Sequence, residues 1–315
     1  MILDFSLMLL ICVTMTVVCG KVFIPVLHKF KFGQTVREEG PKSHVKKNGT
    51  PTIGGLIFII PIIIGSLLYL NHDLESLYPM ISLVLFAMVG FADDFLKVKR
   101  GKNLGLTAMQ KIILLFIVSL GLSLIAKNIY GSELYIPFVK INFDLGLLYV
   151  PFMMFVFIGA SNAVNLTDGL DGLATSVTIV ALAFMGYISN LLGFDSSLIF
   201  VIISISALIG FLFFNINPAK VFMGDTGSLG LGGLLVGLTA QMGLQIILVL
   251  VGIMYIVETL SVIIQVFWFK KTGKRVFKMS PIHHHYEMCG LSENKIVLLF
   301  SIITMIFGFI AIISI

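Results

Sequence analysis

The run TGSLGLGGLLVGLTAQMGLQIILVLVGIMYIV, residues 226–257, carries no charged side chain, and the chain stays apolar to Phe269 with one carboxylate, Glu258, on the way. A helix rises about 1.5 Å per residue and a bilayer core is about 30 Å thick, so roughly 20 apolar residues make one span. The stretch 226–269 is long enough for two, and Gln241-Met242-Gly243 near its middle is where the chain is expected to turn. Shorter uncharged runs cover residues 53–70, 76–92, 112–126, 145–167, 172–194, 196–219 and 296–315. With a first apolar segment at 5–27, the bilayer-thickness rule gives about ten spans.

Composition agrees. The chain is 58% hydrophobic and 12% charged, about half the charged share of an average soluble domain. The expected fold is all-α: a polytopic integral membrane protein, residues 1–315 forming a single transmembrane domain. Residues 134–143 place β-branched and aromatic side chains around Pro137, which predicts a short external β-hairpin. The first segment opens Met1-Ile2-Leu3-Asp4, without a basic n-region or a small-x-small cleavage site before Lys21, and reads as a retained span. Cys12, Cys19 and Cys289 are odd in number and lack metal-ligand spacing, so no disulfide frame is expected.

Basic residues orient the spans. Lys29, Lys31, Arg37, Lys42, Lys46, Lys47, Lys97, Lys99, Arg100, Lys102, Lys111, Lys220, Lys270, Lys271, Lys274, Arg275, Lys278 and Lys295 fall in loops of one parity, against Lys127 and Lys140 in the others. Positive-inside asymmetry then puts those loops in the cytoplasm and both termini outside.

Five segments on the basic side hold the polar chemistry. The first, Lys42 through Gly55, is a basic loop leading into Gly49-Thr50-Pro51-Thr52 at a span entrance. By itself it reads equally as a positive-inside loop with a helix cap. The second is Asp93-Asp94 at the end of an apolar span. Carboxylates at membrane depth are costly and usually functional, and adjacent ones call for a divalent metal or lysines nearby.

In the third, Asn165, Asp168 and Asp171 recur every third residue, so a helix or tight turn would line them up to hydrogen-bond a polar ligand. The run lacks the EF-hand pattern. The fourth is Phe222-Met223-Gly224-Asp225-Thr226-Gly227-Ser228. Its glycines allow close backbone approach, and a helix starting near Ser228 would aim free N–H groups at an anion. The ending of a Walker A loop is absent. Gly233 and Gly237 are expected to serve close helix packing.

The fifth is Pro281-Ile282-His283-His284-His285. Consecutive helical residues point about 100° apart, so the three histidines do not all ligate one metal, although one or two could contact phosphate or metal. The His-Glu-x-x-His zinc pattern is missing. Glu258, inside a span, reads as a buried, hydrogen-bonded or neutral carboxyl.

Taken together, Gly49-Thr50-Pro51-Thr52, Asp93-Asp94, Asn165-Leu166-Thr167-Asp168-Gly169-Leu170-Asp171-Gly172, Phe222 through Ser228 and Pro281 through His285 resemble the polyprenyl-phosphate phospho-sugar transferases over nearly the whole chain. The resemblance implies ten spans in a bacterial plasma membrane with a cytoplasmic active site. It also implies an Mg²⁺-dependent exchange in which undecaprenyl phosphate attacks the sugar-linked phosphate of UDP-N-acetylmuramoyl-pentapeptide (UDP-MurNAc-pentapeptide) and UMP leaves, giving the first lipid-linked peptidoglycan precursor.

Carried over by position, Asp225 is the metal ligand, and Asp93, Asp94, Asp225 and His283 form the catalytic set. Lys47, Thr52, Lys102, Lys111, Asn165, Asp168, Asp171, Phe222, His284 and His285 are the substrate-binding set, with Phe222 stacking on uracil. Ile53 departs from the family, which more often has methionine there, and Lys46 beside Lys47 leaves the lysine match ambiguous by one residue.

Physical reasons run parallel to the likeness. Both substrates are anions, so their phosphates meet only against repulsion, which Mg²⁺ and fixed lysines can offset. Aspartate oxygens suit magnesium. The rival within the superfamily uses UDP-N-acetylglucosamine; the unbroken histidine run after Pro281 favours the muramoyl-pentapeptide branch. A rival from another class is a secondary transporter, but transporters bind near the bilayer midplane between repeats, whereas these clusters sit at one face and no repeat is visible. The oligomeric state stays open, with a homodimer compatible, and no nucleic-acid partner is expected.

Overall fold

The computed structural model describes residues 2–29, 47, 49–100 and 105–315, with side chains from Phe5 onward. Lys102 and Lys46 lie outside the described residues. The chain forms α1 (Ile2–Lys29), α2 (Leu56–Tyr69), α3 (Leu74–Arg100), α4 (Ala108–Tyr130), β1 (Glu133–Ile136), β2 (Ile141–Asp144) and α5 (Tyr149–Thr167). It continues through α6 (Leu173–Leu192), α7 (Asp195–Asn215), α8 (Gly224–Gln241), α9 (Ile247–Val251), α10 (Ile253–Thr272), α11 (Ile282–Met288) and α12 (Glu293–Ser314).

Among the described residues, eight helices are long and apolar enough to cross a membrane: α1, α3, α4, α5, α6, α7, α10 and α12. The two other expected spans are helices of a different kind. The α2 helix has only 14 residues. The α8 helix has 18 residues and buries every side from Thr226 to Ala240. A helix enclosed all round by protein need not be as apolar as one that faces lipid. The outer helices do face lipid: α4 exposes Ile112, Ile113, Phe116 and Ile117, and α10 exposes Leu260, Ile263, Ile264 and Phe267.

The α8 helix is the axis of the bundle, packed between α3 and α5, with α1 against α7 and α6 against α7 and α12. Small residues set how near α3 comes. A Cβ on Gly233 would lie 2.6 Å from the Ser82 carbonyl, and one on Gly237 would lie 2.8 Å from Ser82 Cβ, so both glycines serve packing as expected. Phe86 of α3 and Phe157 of α5 stack at 5.4 Å beside this seam. The turn after Gln241 falls where the sequence placed it, and a second break at Gly252 separates α9 from α10.

The predicted hairpin is present: β1 and β2 pair antiparallel, Glu133 opposite Asp144 and Ile136 opposite Ile141. It docks on the C-terminal ends of two helices, the Phe138 N–H donating to the Ser314 carbonyl (2.8 Å) and the Tyr135 N–H to that of Gly243 (3.3 Å). The opposite end of the bundle, where α8 and α12 begin, gathers the polar segments.

Candidate active site

Three carboxylates meet where α3 ends and α8 begins. Asp93 and Asp94 are 4% and 1% exposed, and each offers an oxygen within 4.8 Å of one from Asp225 and from each other. Gly90, one turn earlier on α3, makes this approach feasible, because any Cβ there would collide with the Asp225 carbonyl and the Thr226 nitrogen.

The helix after Phe222 starts at Gly224, four residues before the expected start near Ser228. Gly224 has φ +71°, and a Cβ on it would crowd Asp94 Oδ2 at 2.5 Å and Thr52 Oγ1 at 2.7 Å. The earlier start puts Asp225 in the first helical turn. It also commits the Thr226 N–H and hydroxyl to Asp94 Oδ2, at 2.9 and 2.7 Å, so this part of the α8 N-terminus receives an internal carboxylate rather than a substrate phosphate.

Lysines compensate the acids. Lys97, one turn beyond Asp93, reaches Asp93 at 2.6 Å, Asp94 at 3.5 Å and Asp225 at 3.2 Å. Lys111 reaches Asp225 Oδ2 at 2.7 Å from the first turn of α4, whose start is fixed by a Thr107–Gln110 capping box. Asn165, in the last turn of α5, donates to Asp225 Oδ1 (2.9 Å) and to Ser228 Oγ (2.8 Å). The Leu106 N–H donates to Asp93 Oδ1 at 2.7 Å. Three carboxylates against two ammonium groups leave negative charge in excess, and oxygen donors in this number suit a hard divalent cation.

Asn165, Asp168 and Asp171 do not line one face. The α5 helix ends at Thr167: Asn165 bonds the carboxylate centre, while Asp168 follows beyond the helix end and accepts the Gly224 N–H. Asp171 closes a second cluster: its Oδ1 accepts from Lys47 Nζ (2.8 Å), and its Oδ2 accepts from Asn217 Nδ2 (2.9 Å) and the Ala219 N–H (3.0 Å). Glu293, at the start of α12, takes a second bond from Lys47 (2.7 Å) and one from the Asp171 N–H (3.1 Å). Asp168 lies between the clusters. Burial first, then the charges of Asp225, Asp94 and Asp171, pushes its carboxyl well above the usual range, opposed by a hydrogen bond from the Gly224 N–H.

The segments that carry Thr52 and Phe222 are joined through their backbones. The Phe222 N–H donates to the Pro51 carbonyl (2.8 Å), and Gly54 and Gly55 return bonds to the Phe222 and Met223 carbonyls (2.9 Å each). Ile53, between them, is 2% exposed with φ +67°, a conformation costly for a β-branched residue.

The histidines diverge, as helical spacing requires. His283 is 1% exposed, its Nδ1 3.0 Å from Glu258 Oε1. His284 Nδ1 lies 3.2 Å from Glu287 Oε2. His285 Nδ1 accepts the Lys278 N–H at 3.1 Å. Sequence reading missed Lys97 and Glu293 as site residues. The spacing of Lys97 from Asp93 and Asp94, one helical turn, was a signal available for the first; nothing local marked the second.

The sequence profile of glycosyl transferase family 4 matches residues 76–243, a span holding all three carboxylates. The chain belongs to this family. Its curated relatives include the phospho-N-acetylmuramoyl-pentapeptide-transferase of Clostridium perfringens (strain 13 / Type A), 55% identical over 295 residues, 93% of each chain. The enzyme of that name from Clostridium botulinum (strain Eklund 17B / Type B) is 49% identical over 94% of this chain and 93% of its own. That of Clostridium acetobutylicum is 47% identical over 97% of both.

Proposed function

We propose that this chain transfers phospho-N-acetylmuramoyl-pentapeptide from its UDP-linked donor to undecaprenyl phosphate, yielding lipid I and UMP. The observation that carries this reading is the meeting of Asp93, Asp94 and Asp225 around Lys97 and Lys111, in a chain 55% identical to a transferase of that name. A phosphate oxygen of the lipid attacks the sugar-linked phosphorus in line with the bridging oxygen. A new P–O bond forms, and the bond to UMP breaks, its electron pair leaving with UMP.

Asp93, Asp94 and Asp225 would hold Mg²⁺, with Asp225 the principal ligand, and the ion would neutralise charge on the reacting phosphates. Lys97 and Lys111 supply fixed positive charge beside them. Asp93 serves as base or as positioning group for the attacking phosphate. Lys47, Thr52, Asn165, Asp168, Asp171 and Phe222 form the nucleotide end, with Phe222 against uracil; Lys102, His284 and His285 complete the substrate set, and His283 acts beside the reacting groups.

In the bacterial plasma membrane, the polar end of the bundle faces the cytoplasm and both termini face outward, in keeping with the basic-loop asymmetry. The chain acts as a single transferase domain, a homodimer being compatible with it. The test is UMP release by purified protein with undecaprenyl phosphate and either UDP-N-acetylmuramoyl-pentapeptide or UDP-N-acetylglucosamine, with and without Mg²⁺. Release with the first donor and Mg²⁺ is expected; release with the second donor alone, or transport into proteoliposomes without UMP release, would refute the reading.

A further inference from the structure

The α10 helix has one buried stripe, Met254, Tyr255, Glu258, Ser261 and Gln265, while its other face lies against lipid. Ser261 bonds its own helix at the Glu258 carbonyl (2.7 Å), and the other three polar members of that stripe each hold a different piece of the molecule. The Tyr255 hydroxyl pairs with Thr178 of α6 at 2.7 Å. Gln265 Oε1 accepts the N–H groups of Val276 and Phe277 at 3.0 and 2.9 Å. Glu258, completely buried, pairs with His283 Nδ1.

The far side of the His283 ring is equally informative. Nε2 is buried and has no hydrogen-bond partner among the described residues. It abuts Gly169, where any Cβ would collide with it. Gly169 follows Asp168 in the turn linking Asn165, bonded to Asp225, with Asp171, bonded to Lys47. A buried polar nitrogen without a partner is costly, so its retention here calls for a use.

Resting on the transfer reading, we propose that Glu258 is a positioning residue for His283. The Glu258 carboxyl held against Nδ1 fixes which ring nitrogen carries the proton and how the ring is turned, and Nε2 is the nitrogen presented beside the Asp168–Gly169 turn. A carboxylate behind an imidazole fixes its tautomer and ring angle in this way in other catalytic sites. Glu258 itself touches no substrate.

The test is steady-state kinetics of UMP release by Glu258→Gln in the full-length enzyme, with a detergent melting curve beside it. The amide keeps the volume but not the obligate acceptor. The expected result is kcat lowered at least about tenfold, KM for the nucleotide donor within about twofold, and no further loss when the change is added to His283→Ala. A well-folded Glu258→Gln with wild-type kcat, or a loss that adds fully to that of His283→Ala, would overturn the proposal.

If Glu258→Gln does not fold, Gly169→Ala approaches the same ring from its other side. Its methyl must displace Nε2, so kcat is expected to fall with KM nearly unchanged; wild-type kcat would again overturn the proposal. Absence of UMP release by the wild-type enzyme would instead defeat the transfer reading, a separate outcome.

Discussion

The acid centre and the histidine helix are the two polar regions most conspicuous in the sequence, and they are held together by opposite means. Asp93, Asp94 and Asp225 are placed by backbone packed on backbone along the α3–α8 seam, with Gly90 and Gly224 leaving no room for a side chain. The α11 helix has seven residues, and it and the loop before it are tied to the bundle through single polar side chains: Gln265 to Val276 and Phe277 of the loop, and Glu258 to His283. The Lys47–Asp171–Glu293 cluster nearby is of the second kind. The first region should therefore resist any added volume, and the second should resist loss of polarity while tolerating changes of shape.

The largest effect is expected at Asp225, which Lys97, Lys111 and Asn165 all share. Asp225→Asn should lower kcat for UMP release by roughly a hundred- to thousandfold, with an unchanged melting temperature in detergent; retained turnover would remove Asp225 from the centre. Gly90→Ala tests volume in the same region. It should destabilise by about 3 kcal/mol or more, seen as a lowered melting temperature together with lost activity, because α8 cannot keep its distance from α3.

In the second region, Gln265→Leu keeps the volume and removes the bonds to Val276 and Phe277. A loss of about 1–2 kcal/mol and a several-fold drop in kcat should appear, whereas wild-type values would show that polarity does not hold this loop. The mildest change is Glu293→Gln. It removes the charge from one of the two carboxylates on Lys47, so KM for the nucleotide donor should shift about two- to fivefold, with kcat nearly constant in the same assay.

How much of this was legible in the sequence follows the same division. Hydrophobic run length located the long helices of the bundle, though not the break at Gly252 or the short α11, and β-branched and aromatic residues around Pro137 located the hairpin, because both depend only on local composition. The adjacent acids were legible because charge at the end of an apolar span is unusual. The meeting of Asp94 with Thr226 was not, since it depends on α8 starting at Gly224 rather than near Ser228. Lys97 reads in the sequence as one more basic loop residue, yet it bridges three carboxylates. Glu258 and Glu293 acquire partners 25 and 246 residues away, which no local pattern announces.

The central claim is that acids from distant parts of the chain form one cation site at the polar end of the bundle, separate from the histidine helix. Mn²⁺, a spectroscopic stand-in for Mg²⁺, measures this directly by electron paramagnetic resonance on the purified chain without substrates. Stoichiometric binding is predicted for the wild type, loss of binding for Asp225→Asn, and retention for His283→Ala. Undiminished binding by Asp225→Asn, or its loss in His283→Ala, would contradict the account.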